Sequence, residues 1–149
     1  MDKQISALVY LSKEKYPFTE GGIQVLAQKS ARKNAALHIS GYLAYKEGLF
    51  VQYLEGPKNN LNDLFHVIRA DSRHQIFKEI RIGELGKRHF KGWDMRHLEY
   101  KELHHVGIET VLDWLVYDQY QEKVPADIIS KVWQMVSDIA SLKALQKLQ

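Results

Sequence analysis

The sequence contains no cysteine among its 149 residues. Disulfide bonds, thiol catalysis and thiolate metal sites are therefore excluded, which suits a reducing compartment. Long apolar runs are also lacking, since none approaches the roughly 20 residues that cross a bilayer. The brief apolar run near the N-terminus favours a first strand over a secretion signal. We therefore expect a cytoplasmic protein without a membrane partner.

Familiar catalytic and metal motifs are missing as well. The chain has no G-x-S-x-G elbow, P-loop or G-x-G-x-x-G fingerprint, so hydrolase, nucleotidase and dehydrogenase activities have no supporting motif. His104 and His105 are adjacent, but neighbouring residues on a strand point to opposite faces, and no metal site is predicted. The net charge is only +3 with scattered basic residues, so we do not expect direct nucleic-acid binding.

Hydrophobic periodicity predicts alternating strands and helices up to about residue 100. A first helix is predicted at residues 20–33, with Thr19 as its N-cap, and a second helix follows Pro57. Strands are predicted at residues 5–11, 39–46, 49–55, 76–84 and 92–98. The order β-α-β-β-α-β plus one further strand is that of a ferredoxin-like α+β sandwich.

Beyond residue 107 the apolar residues take helical spacing. One helix is predicted around Val111 to Val116, and a last helix is predicted from about residue 126, after a break at Pro125. The apolar face of the last helix is too wide to be left in solvent. We therefore expect a first domain at residues 1–100 and a helical extension at residues 101–149 that packs on the sheet or on a second subunit.

Gln52 is the least ordinary residue of the predicted sheet. Phe50, Gln52 and Leu54 lie two apart, so they share one face of a strand. The opposite face is equally apolar, which indicates a strand buried on both sides. An unpaired carboxamide in a core costs about 1–3 kcal/mol, so a polar group should face Gln52. A glutamine exposed to water remains the alternative.

Four other positions have both an ordinary and a functional explanation. Tyr10 on the first strand is ordinarily a core aromatic residue, and Asn34 at a helix end is ordinarily a C-terminal cap. The functional role of Asn34 would be to aim its carboxamide at a ligand. Trp93 and Met95 share a face of the predicted fifth strand, and core packing is the ordinary explanation for that pair.

Four segments of the chain, in the right order, resemble the BLUF family of blue-light sensors, which hold a flavin beside a tyrosine and a glutamine. The segments are LVYLS, SARKNAALHISGYLAYKEGLFVQYLEG, IRADSRH and WDM. Each segment alone is weak evidence for the family, but four segments in the same order and register are specific to it. Together they cover roughly residues 4–98. The departures are small, with Ser40 where threonine is common and Leu26 where isoleucine is common.

The resemblance implies a bound flavin, FAD with FMN or riboflavin as alternatives, and makes Tyr10 and Gln52 the switching pair. Trp93 and Met95 would relay the signal. The other flavin contacts that it implies are Leu26, Lys33, Asn34, Phe50, Ile68, Asp71, Arg73 and His74.

The same resemblance implies a light sensor rather than an enzyme. Light would move an electron and a proton from Tyr10 towards the flavin through Gln52, leaving the amide rotated or tautomerised with a new hydrogen bond to a flavin carbonyl. The C-terminal helices would then pass the change to an unidentified protein partner or through a homo-oligomer. No output domain such as a cyclase is recognisable in the sequence.

Two other functions stay open at this point. A ferredoxin-like RNA-binding module would stack bases on exposed sheet aromatics such as Tyr10 and Tyr53, although no RNP-like cluster of aromatics and glycine is present. A flavin enzyme would transfer electrons to a substrate and would need an open site near the ring and a redox partner.

Overall fold

The computed structural model of this protein describes residues 4–99 and 124–146. Its strands are β1 (Ile5–Glu14), β2 (Ser40–Lys46), β3 (Leu49–Pro57), β4 (His74–Leu85) and β5 (Arg96–Leu98), and its helices are α1 (Glu20–Ala36), α2 (Lys58–Ala70) and α3 (Ala126–Gln146). The prediction of a ferredoxin-like α+β fold is confirmed. The helix predicted around Val111 to Val116 lies outside the described residues.

One mixed sheet carries the site, with the strand order β4-β1-β3-β2-β5. β1 and β3 are antiparallel neighbours at its centre, while β2 and β5 are parallel. The register places Tyr10 of β1 opposite Gln52 of β3, and Leu43 of β2 opposite Gln52 on the other side. Residues opposite each other in a sheet project to the same face, so the tyrosine and the glutamine meet.

The start of α1 was predicted correctly and its end was not. The Thr19 side chain accepts a hydrogen bond from the Gly22 amide at 3.0 Å, so Thr19 is the N-cap. The helix continues three residues beyond the predicted end, and the left-handed residue after it is His38, with φ 57°. Asn34 therefore lies inside the last turn, and its interpretation as the cap is wrong.

Two buried cores flank the sheet, as strand alternation requires. The first, which we call the α1/α2 core, includes Leu8, Tyr10, Phe50 and Leu54 under helices α1 and α2. The second, the α3 core, joins the other face of the sheet to α3. The α3 residues in it are Ile128, Val132, Met135, Val136 and Ile139. The apolar face of α3 is thus covered by the sheet of the same chain.

The fifth strand differs from the prediction. Only Arg96–Leu98 pair with β2, and Trp93 and Met95 precede the strand in a loop. Trp93 packs against the α3 core, whereas Met95 is buried in the α1/α2 core. The prediction that they share a strand face is wrong, because Gly92 turns the chain with φ 90° and extended alternation is lost in the residues after it.

A buried carboxylate fixes the loop that leads to Trp93. Glu55 is fully buried and accepts hydrogen bonds of 2.8 Å from the Ser40 hydroxyl and the Tyr53 hydroxyl. It also accepts hydrogen bonds of 2.8 Å from the backbone amides of His89 and Phe90. Four donors satisfy a charge that would be costly if left unpaired in a core. Residues 89 and 90 are therefore tied to β3.

Candidate functional site

Tyr10 and Gln52 form the polar centre of the site. Both side chains are buried in the α1/α2 core, at 4% and 5% exposure, so the alternative of a solvent-facing glutamine is wrong. The Tyr10 hydroxyl donates a hydrogen bond to Gln52 Oε1. Gln52 Nε2 donates in turn to Met95 Sδ at 3.2 Å. Tyr10 is thus the polar partner that the burial of Gln52 requires.

The protonation of Tyr10 follows from its surroundings. Burial raises the pKa of the Tyr10 phenol well above its ordinary value, and the nearby Asp71 carboxylate raises it further. A phenolate would be poorly solvated here, so the hydroxyl keeps its proton and acts as a donor at neutral pH. The hydroxyl donates to the Gln52 amide oxygen, which can accept a proton.

A slot of about 70 Å³ opens beside this pair. Its lining residues are Tyr10, Phe18, Leu26, Leu43, Phe50, Gln52, Ile68, Asp71, Arg73 and His74. Leu26 comes from α1 and Ile68 from α2, so apolar side chains of both helices wall the slot. Apolar walls with a few convergent polar groups suit a planar aromatic cofactor. The slot is small, but it shares three lining residues with a groove of about 530 Å³ along α1.

Charged groups stand at the rim of the slot. Arg73 forms an ion pair with Asp71 at 2.6 Å. Hydrogen bonds from Arg73 lower the pKa of the Asp71 carboxyl to about 2. His74 is fixed between two elements, because Nδ1 lies 2.7 Å from Ser12 Oγ and Nε2 donates to the Ile68 carbonyl at 2.8 Å. These contacts hold one wall of the slot against β1 and α2.

Two of the predicted flavin contacts do not line the slot. Asn34 is buried, and its Nδ2 donates to the Asp94 carbonyl at 3.0 Å, which ties α1 to the loop that carries Met95. Lys33 lies on the adjoining α1 groove. Trp93 is on the opposite side of the sheet, where its ring stacks on Phe90 at 5.2 Å. The other predicted site residues meet at the slot, with Met95 reaching it through Gln52.

Some residues of the site were not predicted. Leu43 and Phe18 line the slot, and Ser12 supports His74. Leu43 could have been identified, because a strand between two partners directs alternate residues to each core. Phe18 follows Pro17 in a loop, where no periodicity indicates which way a side chain points.

The chain also matches a known protein family. Residues 5–96 match the BLUF family, described as sensors of blue light using FAD. The chain belongs to this family. The matched residues are thus a flavin-binding, blue-light-sensing domain. A photoactivated adenylate cyclase subunit beta of Euglena longa is 34% identical over 87 residues, which are 58% of this chain and 10% of that protein. The chain thus matches about a tenth of the length of that relative.

Two solved structures are similar along most of this chain. The dark-state structure of BlrB, a BLUF protein, aligns with a TM-score of 0.70 and 27% identity, covering 95% of this chain and 98% of that one. A bacterial light-regulated adenylyl cyclase aligns with a TM-score of 0.64 and 29% identity, covering 85% of this chain and 38% of that one.

The RNA-binding alternative is not compatible with the sheet. Tyr10 and Tyr53 are both buried, one in each core, so neither ring can stack on a base. In the part of the chain that the structure describes, no helix is long and apolar enough to cross a membrane. Those residues also hold no cluster of metal-ligating side chains, and His104 and His105 lie outside them.

Proposed function

We propose that this BLUF chain senses blue light through a switch in the hydrogen bonds of Gln52, with Tyr10 as the donor. The observation that carries the proposal is the buried chain of hydrogen bonds from Tyr10 through Gln52 to Met95, at the wall of an apolar slot. Gln52 is hydrogen-bonded to both Tyr10 and Met95, and a rotated amide would change both contacts.

A flavin in the slot would supply the absorption of blue light and an excited state that takes up an electron. Leu26, Ile68 and Phe50 would hold its ring, and Asp71, Arg73 and His74 would serve its ribityl end or the network that supports it. Asn34 would act through the loop that it fixes, unless that loop opens when the flavin binds. FAD is the flavin that we propose, since the family description names it.

The chemistry of the residues explains why Gln52 can act as a switch. Tyr10 can release an electron and pass its proton to Gln52 Oε1, which already accepts its hydrogen bond. Rotation or tautomerisation of the amide would exchange its donor and acceptor ends. After rotation Oε1 would face Met95 Sδ, which has no hydrogen to donate, so the present contact between Gln52 and Met95 would be lost.

The loop from Gly92 to Met95 is the proposed route to α3. Met95 lies in the core beside the slot, and Trp93, two residues earlier, packs against the core that contains α3. A displaced Met95 would therefore change the packing of Trp93 and shift the population of α3 arrangements. A difference of about 1.4 kcal/mol between two arrangements changes their ratio tenfold.

The signal would leave through residues 101–149, towards a protein partner or through a homo-oligomer in the cytoplasm. The first domain would be residues 1–100, and the chain itself would consume no substrate. The similarity to light-regulated cyclases supports control of a separate effector as the output.

The test is a visible spectrum of the purified protein in darkness and after blue illumination. We expect a yellow protein with a reversible red shift that needs no reductant. Gln52→Leu should stay yellow and lose the shift, whereas Gln134→Leu, on the exposed side of α3, should keep it. A normal shift in Gln52→Leu would refute the proposed switch. A reaction that proceeds only with reductant and substrate would instead support a flavin enzyme.

A further inference from the structure

One side chain at the mouth of the slot is carried neither by a helix nor by a strand. Phe18, Leu26 and Arg73 line both the slot and the groove along α1, so they lie where the two meet. Leu26 is in the middle of α1, and Arg73 is ion-paired with Asp71. Phe18 belongs instead to the loop of residues 15–19 that joins β1 to α1. Of the three residues at this junction, Phe18 can therefore move at the lowest cost.

The Glu14 carboxylate holds this loop against the sheet. Its Oε2 accepts a hydrogen bond of 3.0 Å from the Phe18 backbone amide and one of 2.7 Å from the Tyr45 hydroxyl of β2. The backbone of Glu14 is fixed in turn, because its amide donates to the Gly48 carbonyl at 2.8 Å. One oxygen atom thus joins the end of β1, the loop and β2.

The two ends of the loop are held by other contacts. The Lys15 amide donates to the Arg73 carbonyl at 2.9 Å, and Thr19 caps α1. Between these ends, Tyr16 is 69% exposed and Pro17 is also exposed, so their side chains pack little against the rest of the chain. Motion of the loop is therefore confined to its central residues.

The Phe18 ring packs on the aromatic residues beside the slot. Its centroid lies 5.2 Å from that of Phe50 and 6.3 Å from that of Tyr45, both in edge contacts. Such contacts are individually weak. The position of the half-buried ring consequently depends on the hydrogen bond between the Phe18 backbone and Glu14 as well.

We propose that Phe18 is the gate of the flavin slot and that Glu14 is the positioning residue that keeps this gate closed. The proposal rests on the proposed flavin function and adds how the cofactor is retained and exchanged. When the hydrogen bond to Glu14 breaks, the centre of the loop swings outward and the junction of slot and groove widens. A flavin ring passes this junction both when it enters and when it leaves.

A gate differs kinetically from a residue that only touches the bound flavin. Loss of a simple contact speeds dissociation and leaves association unchanged. Loss of the group that keeps a gate closed speeds both steps, because flavin waits for the same opening in either direction. The two rate constants, and not the affinity alone, therefore distinguish the two roles.

The experiment measures the association and dissociation of FAD with the full chain, followed by flavin fluorescence. Association is measured by rapid mixing with the chain freed of its cofactor, and dissociation by dilution of the loaded chain. In Glu14→Ala we expect both rate constants to rise by roughly 3- to 30-fold, for the loss of one or two net hydrogen bonds. Glu14→Gln keeps an acceptor oxygen and should stay within about threefold of the unmodified chain.

Three further variants separate the gate from the walls of the slot. Leu26→Ala should raise the dissociation rate alone, because Leu26 is a wall residue fixed in α1. Tyr45→Phe removes one donor to Glu14 and should raise both rates by roughly 2- to 5-fold. Glu84→Ala, at an exposed carboxylate of β4, is the matched control and should change neither rate.

The dependence of Glu14 on Phe18 gives the decisive comparison. Phe18→Ala should speed both steps, and adding Glu14→Ala to it should speed them no further, because Glu14 acts through Phe18. The light-induced spectral shift should persist in Glu14→Ala, since Tyr10 and Gln52 are untouched. Unchanged rates in Glu14→Ala, a faster dissociation alone, or additive effects in the double variant would overturn the inference and leave the proposed function standing. An unmodified chain that binds no flavin would overturn both.

Discussion

Trp93 and Met95 are two residues apart in the chain, and their side chains lie in different cores on opposite sides of the sheet. Met95 contacts the Gln52 amide, and Trp93 stacks on Phe90. The two residues should therefore have separable effects on light sensing. Met95 should act on the hydrogen-bond switch itself, and Trp93 should act on the transmission of its signal to α3.

Trp93→Leu should keep the spectral shift and weaken its transmission to α3. The substitution leaves the slot intact, but it removes the stacked ring at the α3 core. The measurement is hydrogen exchange of the α3 amides in darkness and in light, together with the light-minus-dark spectrum. We expect the light-dependent change in exchange to fall by at least half while the spectral shift is retained. Loss of the spectral shift in this variant would contradict the separation.

Met95→Leu should change the switch instead. Leucine fills a similar volume but cannot accept the hydrogen bond of Gln52 Nε2, so the dark arrangement loses about 0.5–1 kcal/mol. The thermal return of the protein to its dark state should therefore slow by roughly 2- to 5-fold. The recovery is followed by absorbance after illumination, with Met135→Leu in the α3 core as the control. An unchanged recovery would show that this contact does not stabilise the dark state.

Two buried tyrosines offer a comparison that isolates the function of one hydroxyl. Tyr10→Phe removes the donor to Gln52 and should abolish the normal light reaction while flavin stays bound. Among the residues that the structure describes, the buried Tyr42 hydroxyl has no hydrogen-bond partner, so Tyr42→Phe should leave the reaction intact. It should also raise the free energy of unfolding by up to about 1 kcal/mol, because an unpaired polar group leaves the core. Spectra and urea unfolding of both variants test this difference.

Glu55→Gln should destabilise the fold. All four donors to Glu55 face a carboxylate, and the NH₂ of glutamine would oppose two of them. We expect the free energy of unfolding in urea to fall by about 2–4 kcal/mol. Glu84→Gln, at an exposed position, should change it by less than about 0.5 kcal/mol. A similar stability of both variants would argue against the role of Glu55 as an anchor.

The ion pair between Asp71 and Arg73 should give an acid-dependent part of the stability. The pKa of Asp71 falls from 3.8 to about 2 in the folded protein. A lowered carboxyl pKa stabilises the fold above the unfolded value, and that contribution is lost as the pH falls from about 4 to about 2. Because the pair is partly exposed, we expect about 1 kcal/mol or less. In urea unfolding at pH 7, Asp71→Asn should have a lower free energy of unfolding than the unmodified chain. This difference should disappear near pH 2.

The pairing of Tyr10 with Gln52 shows what the sequence could predict. Strand alternation placed Gln52 in a core, and the cost of an unpaired carboxamide required a polar partner. The loop that contains Trp93 and Met95 shows what the sequence could not predict. Two apolar residues of equal parity indicate a strand, but both lie in a loop after the left-handed turn at Gly92, where strand alternation is lost. The role of Glu55 as an anchor could not be predicted from the sequence either, because its two donors in the loop lie 34 and 35 residues away in the chain.

The anchoring of residues 89 and 90 to Glu55 has a consequence for the speed of any response. Pairing with β2 holds residues 96–98 on the far side, so the intervening stretch is tethered at both ends. A displacement of Met95 is confined to five residues, with the freedom of Gly92 in their midst. Such a short segment can return to its dark arrangement without unwinding a helix or separating strands. Repeated illumination should therefore not destabilise the fold.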